Sequence, residues 1–383
     1  FYQYANGGWL KANPIPAAFP AWGVGNVLSE KNRDVLHEIL EAAAKNAGAR
    51  KGSNEQKVGD FYATCMDEAG IEAAGLKPLQ PELDRVARIN NQATLQEEIG
   101  HLHSIGIVVL FNSGSTQDFK NSAEVTAGIN QGGLGLPDRD YYTKTDDRSK
   151  TIRDEYVKHV AKMFELMGDD AAKAASETQT VLALETKLAE ASKTRVELRD
   201  VEKLYHRMTI AQLHELAPTF NWEAYFQRIG LAQKADVNVA TPDFFKVMDA
   251  QLTATALADW QTYLRWNLIN TAASGLSSKF VDEDFHFKGM ILQGAKENLP
   301  RWKRCVASTD RALGEALGEV YVKKAFPPAA KARALAMVRN LEAALKSDIG
   351  SLSWMGEATR KQAIIKLDAF LNKIGYPDKW RDY

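Results

Sequence analysis

The chain has 383 residues, 45% of them hydrophobic and 25% charged, the proportions of an ordinary globular protein rather than of a disordered, collagen-like or disulfide-stapled chain. Lys plus Arg number 48 against 49 for Asp plus Glu, so the net charge of −1 lacks the positive surplus that neutralises phosphates, and nucleic acid is not an expected partner. The longest apolar stretch, Ile105 to Phe111 interrupted by Gly106, is far shorter than the ~20 residues a membrane helix needs.

Helical periodicity dominates in chain order. From Val27 to Ala44, Val27, Leu28, Val35, Leu36, Ile39 and Leu40 recur at three, four and seven with charged residues between them, the pattern of a half-buried helix. The same spacing predicts helices at Glu55 to Asp67, Ala93 to His103, Arg148 to Met167, Ala171 to Lys193, Thr253 to Asn270, Asp310 to Ala325, Ala329 to Ser347 and Glu357 to Lys373. Strand signals are few: Ile105 to Asn112, Ala123 to Ile129 before a Gly-rich turn at Gly132, Gly133 and Gly135, and Val237 to Ala240. The fold class is therefore mainly α, a large multi-helix domain with a few short strands. Strands and helices do not alternate as a doubly wound sheet requires, and no internal repeat suggests a solenoid or propeller.

Cys65 and Cys305 lie far apart in a chain long enough to need no staple, so two buried free thiols are expected, with one disulfide as the alternative. The chain opens at Phe1 with neither an initiator Met nor the regions of a signal peptide, which fits a removed leader or a start further upstream.

Seven histidines invite a search for metal ligands. A helical zinc-protease motif needs His at i and i+4, which places both imidazoles on one helix face, and a Glu directly after the first to act as base. His37-Glu38 and His214-Glu215 begin that pattern, but Glu41 and Pro218 stand where the second His would be. His101 and His103, two apart on a predicted helix, point to different faces, and a metal role is not expected of them. The Glu30 to Asp34 spacing reads as a solvated helix face, and Ser, His and Asp are too scattered to nominate a triad. Gly132-Gly133-Leu134-Gly135 has neither phosphate-loop nor dinucleotide spacing. The basic Arg301-Trp302-Lys303-Arg304 run reads as a helix start with Trp302 tucked inward.

Longer strings carry more information. FYQYANGGWLKANPIP (Phe1 to Pro16), Trp22-Gly23, DFYATCMDE (Asp60 to Glu68), LGLPDRDYY (Leu134 to Tyr142), TRVELRD (Thr194 to Asp200), LQGAKENLPRWKRCV (Leu292 to Val306), ALGEALGEVYV (Ala312 to Val322) and IGYPDKWRDY (Ile374 to Tyr383) run the length of the chain. In that order they resemble bacterial members of the neprilysin and endothelin-converting-enzyme family of zinc metallopeptidases.

The resemblance implies the N-terminal portion of such an enzyme. Residues 1–25 are expected to reach toward a catalytic domain, 26–373 to form the helical lid that encloses a chamber for oligopeptide substrates, and 374–383 to begin the link into that catalytic domain. In the family, an Asn-Ala-Tyr or Asn-Ala-Phe strand, a His-Glu-x-x-His helix and a Glu-x-x-x-Asp helix follow, and none of the three lies within these 383 residues. Zinc is thus implied for the complete enzyme, where it would activate the attacking water, with no zinc bound by this chain, no catalytic residue on it, and the catalytic domain of the same protein as its partner. The family also places an Arg and, five residues later, an Asp near the primed-side subsites. Here those positions read Ala21 and Asn26, while Trp22 and Gly23 match, so Trp22, Gly23 and Asn26 are the candidate substrate-binding residues and the guanidinium that would receive a terminal carboxylate is missing. By the same resemblance an extracytoplasmic location is expected. The alternative is a non-catalytic helical binding or pseudopeptidase module.

Overall fold

The computed structural model describes residues 1–232 and 236–383. In chain order its α-helices are α1 (Tyr2–Ala12), α2 (Val24–Lys45), α3 (Asn54–Met66), α4 (Glu68–Ala74), α5 (Gln80–Ala87), α6 (Gln92–Ser104), α7 (Asp140–Thr143), α8 (Asp147–Leu166), α9 (Ala171–Ala191), α10 (Ile210–Leu216), α11 (Trp222–Arg228), α12 (Pro242–Ala254), α13 (Leu257–Ala272), α14 (Ser278–Asp284), α15 (Arg301–Ala325), α16 (Pro328–Ser351) and α17 (Glu357–Asp368). The strands are β1 (Phe111–Gln117), β2 (Val125–Gln131), β3 (Arg207–Thr209) and β4 (Asp236–Val239). The chain is mainly α, as its periodicity predicts, and divides into two compact units: Phe1–Glu68 with Leu299–Tyr383, and the intervening Ala69–Asn298.

In the first unit, α2, α3 and α15 close around Ile39, Leu40, Val58, Tyr62, Val306 and Leu317. A Cβ built on Gly59 would lie 2.7 Å from the Ala43 carbonyl, so only glycine lets α2 and α3 approach this closely. The two cysteines are not free thiols. Cys65, near the end of α3, and Cys305, in the first turns of α15, form a disulfide with Cα atoms 5.7 Å apart. Packing of two helices remote in sequence brings them together, a proximity that spacing alone could not reveal. Trp302, expected in the core, is half-buried and stacks on His37 with ring centroids 4.2 Å apart. Helix α15 begins nine residues before the expected Asp310 and is broken at Leu313 (φ −131°, ψ 34°). Beside the break the Glu315 N–H donates to the Tyr383 hydroxyl at 3.2 Å, and the Glu315 carboxylate accepts from the Arg381 N–H at 2.7 Å. A backbone donor lost to the helix ladder is satisfied by the closing segment of the chain.

The second unit packs helices against a four-stranded sheet of order β1-β2-β4-β3, in which β2 and β4 are parallel and the outer pairs antiparallel. Its core is aromatic: Phe111, Phe220, Trp222, Phe244, Phe245, Trp260 and Trp266 are fully buried, each contributing about 1.5–3 kcal/mol or more. Asp146 and Asp170 cap α8 and α9 by accepting from the N–H groups of Ser149 and Lys173. The expected Thr253 to Asn270 helix is two helices, because Thr255 is extended (φ −98°, ψ 136°) between α12 and α13. The expected Ile105 to Asn112 strand is shifted: the apolar run leads into β1, and Leu110, at φ 61°, turns the backbone just before it. That left-handed residue is held by Tyr263, whose hydroxyl accepts from the Leu110 N–H at 3.0 Å and donates to the Gly133 carbonyl at 2.8 Å. Gly133 itself has φ 76°.

Candidate functional site

The substrate-binding residues suggested by resemblance sit at the start of α2. Trp22 is half-buried and meets Phe19 edge to face, with centroids 4.8 Å apart. Gly23 is extended, and its N–H donates to the Asn26 Oδ1 at 2.9 Å, so Asn26 closes the first turn of the helix. Ala21 is exposed just ahead of them. The three candidates are thus neighbours, and the structure gives two of them local roles: Trp22 packs and Asn26 caps.

Further along α2, Ser29, Asn32, Arg33 and Leu36 line a cleft of about 370 Å³ whose opposite wall is Val306, Asp310 and Tyr321 of α15. Arg33 and Lys303 both pair with the half-buried Glu30 carboxylate, one on each oxygen, and the Tyr321 hydroxyl donates to Asn32 Oδ1 at 2.9 Å. Arg33 and Ser29 can donate into this cleft and Asp310 can accept, so it offers hydrogen-bonding groups of both kinds. None of these residues is a candidate from the sequence, although the i, i+3, i+4, i+7 spacing of Ser29, Asn32, Arg33 and Leu36 places them on one face of a helix.

Elsewhere, among the described residues, one group of three metal-ligating side chains converges: Glu82 of α5 with Glu98 and His101 of α6. It does not fit zinc. Arg228 can only donate, and it donates to His101 Nδ1 at 2.8 Å, so the proton of the neutral imidazole lies on Nε2, which gives it to Glu82 at 2.7 Å. Glu98 pairs with Arg85 at 2.9 Å. Both imidazole nitrogens and one oxygen of each carboxylate are already engaged, Glu98 Oε1 is buried without a partner, and two guanidiniums oppose an added cation. The different directions expected of His101 and His103 hold: His103 turns inward, with Nδ1 2.6 Å from the Tyr225 hydroxyl, and burial lowers its pKa. His159 donates from Nδ1 to Glu283 at 2.8 Å and stacks on Phe287, with no hydroxyl or thiol bonded to it among the described residues.

The described residues build a mainly helical scaffold with a small mixed four-stranded sheet. Residues 1–377 match the N-terminal sequence profile of Peptidase family M13, and the chain belongs to that family. It is 32% identical over 392 aligned positions to human (Homo sapiens) endothelin-converting enzyme 1, covering 99% of this chain and 50% of that protein. It is 31% identical to neprilysin-3 of Drosophila melanogaster, again covering 99% of this chain and 50% of that protein. In three dimensions it matches the Mycobacterium tuberculosis zinc metalloprotease Zmp1, crystallised with an inhibitor, at a TM-score of 0.93 and 33% identity, covering 100% of this chain and 58% of that one. The chain therefore spans about half the length of the relatives it matches.

Proposed function

We propose that this chain is the N-terminal, substrate-chamber part of a zinc metalloendopeptidase that hydrolyses oligopeptides, working with a catalytic part that carries the zinc ligands. The supporting observation is a bare apolar surface in the first unit. On α16, Met337, Leu341 and Leu345 recur every four residues and are 59%, 63% and 46% exposed, while Trp354, Ile365, Phe370 and Leu371 are exposed on and around α17. Helix α1 buries nothing, and Phe1, Tyr2 and Tyr4 stand in solvent. Single apolar residues on a surface need no explanation, but a stripe of this length on one helix fits a face that another protein surface covers. Trp380 and Tyr383 do not join that face: Trp380 stacks on Tyr376, and Tyr383 packs against the core of the first unit.

In this reading the zinc chemistry belongs to the catalytic part, while this chain selects peptides and shields them from bulk water. Trp22, Gly23 and Asn26 border the substrate, and Ala21 leaves its terminal carboxylate without a guanidinium. An extracytoplasmic location accords with the disulfide. Sequencing the gene beyond the Tyr383 codon tests the proposal: Asn-Ala-Tyr followed by His-Glu-x-x-His is expected. An immediate stop codon would overturn it in favour of a non-catalytic binding module.

A further inference from the structure

Among the described residues no strand pairs with the outer edge of β1, and the direction of that edge follows from the ladder. The Ala240 N–H donates to the Ile129 carbonyl at 2.9 Å, so the backbone groups of Ile129 face β4. Ser113 of β1 is the residue opposite Ile129. In an antiparallel pair, a residue opposite one that faces away is itself turned away, so the Ser113 N–H and C=O point outward, and the period of two turns those of Ser115 and Gln117 the same way. The Asp118 N–H, one residue on, donates inward to Glu124 at 3.0 Å, as this alternation demands. No strand pairs with this side of β1 among the described residues.

Natural sheets usually blunt such an edge with Lys, Pro, a bulge or a covering segment. Phe111–Gln117 reads Phe-Asn-Ser-Gly-Ser-Thr-Gln, its register with β2 is continuous, and Asn112, Gly114, Ser115 and Gln117 are exposed. The strand is also firmly seated: Phe111 is buried, and the Ser113 hydroxyl accepts from Tyr225 at 2.5 Å. We propose that the β1 edge is a peptide-docking site that adds an extended segment of an oligopeptide as a fifth, outer strand through the backbone of Ser113, Ser115 and Gln117.

The occupant follows from what the edge offers. Recognition is by main-chain groups, flanked by small uncharged side chains, so it tolerates diverse peptide sequences. A second copy of the chain is disfavoured because a seven-residue strand, about 23 Å long, buries only roughly a few hundred Å² beside another, well below the ~1,000 Å² of a stable interface. Peptide is the expected class because the chamber reading makes oligopeptides the substrates, and on that point alone the inference rests on that reading.

The test uses this chain and two fluorescein-labelled, end-capped heptapeptides of alternating Thr and Val, identical except that one is N-methylated at every second residue. Fluorescence anisotropy is expected to show the N-methylated peptide binding at least about tenfold more weakly, since its side chains are unchanged and only donors are lost. Saturation with the unmodified peptide is expected to slow amide exchange at Ser113, Ser115 and Gln117 by about tenfold or more. Ser115→Pro, which removes an outward N–H and leaves the ladder to β2 intact, should weaken binding comparably if its melting temperature is preserved. Equal affinity for the two peptides, or protection confined to other residues, overturns the proposal. Protection of the same amides that rises with protein concentration in the absence of peptide overturns it too, in favour of self-pairing. Binding is read without hydrolysis, so a failure of the peptidase reading leaves this result standing.

Discussion

Glu185 of α9 is fully buried and accepts from four neutral donors: the hydroxyls of Tyr142 (2.8 Å) and Tyr156 (2.7 Å), the Trp266 indole N–H (3.2 Å) and the Gly135 N–H (3.1 Å). Burial pushes its pKa up to about 7, the donors opposing that rise in part. The sign is fixed by the proton held in the fold. Below the unfolded carboxyl value of about 4.3 the contribution to stability is fully present, and it is lost as pH rises toward 7. Glu185→Gln, which cannot ionise, should flatten this dependence, and the change in unfolding free energy between pH 4.5 and 7.5 measured in urea should differ between the two proteins by on the order of 3 kcal/mol. His159 works in the opposite sense: burial lowers its pKa despite Glu283, so its contribution falls as pH drops below about 6.5, and comparison with the Gln variant cancels it. An identical pH profile for the two proteins would exclude the assignment.

At the scale of elements, the segment after β2 is built to pass between other groups. A Cβ on Gly133 would come 2.6 Å from the Tyr263 hydroxyl and 2.7 Å from the Leu110 carbonyl, at a φ of 76° that disfavours any side chain. Gly133→Ala should therefore cost about 2–3 kcal/mol in chemical denaturation, whereas Gly275→Ala, with open space around it, should cost under about 1 kcal/mol. Replacing Cys65 and Cys305 by Ser should destabilise the first unit by about 2–5 kcal/mol, seen as an earlier urea transition. These elements also mark where the sequence could be read. Long helices with an apolar stripe, such as α8 and α9, lie within two residues of their expected bounds. β1 does not, because its polar residues line an open edge and never alternate, and the three residues of β3 carry no period at all. Asn26 was legible as a candidate, but its capping bond was not, and the cleft beside Arg33 exists only once α15 packs on α2.

For the molecule as a whole, the apolar stripe of α16 and the residues around α17 make solution behaviour a direct readout. Leu341→Lys combined with Leu371→Lys should reduce binding of an apolar fluorescent dye and any self-association in sedimentation. Because both side chains are exposed, at 63% and 80%, the melting temperature should move by no more than about a few degrees. Unchanged dye binding would mean that the stripe is not the accessible apolar surface.

The crosslink between Cys65 and Cys305 also sets the covalent topology. The second unit, Ala69–Asn298, leaves and rejoins the first within a few residues of the two bridged positions, so its whole length lies inside one closed ring of chain. A single protease cut anywhere in that ring opens it without releasing a fragment. Limited digestion that nicks an exposed site such as Val201 should leave a full-mass band on a non-reducing gel and two bands after reduction. With both cysteines replaced, the same cut should yield separable pieces under either denaturing condition. The ring means that the inserted unit can be nicked while the two segments of its host remain one molecule.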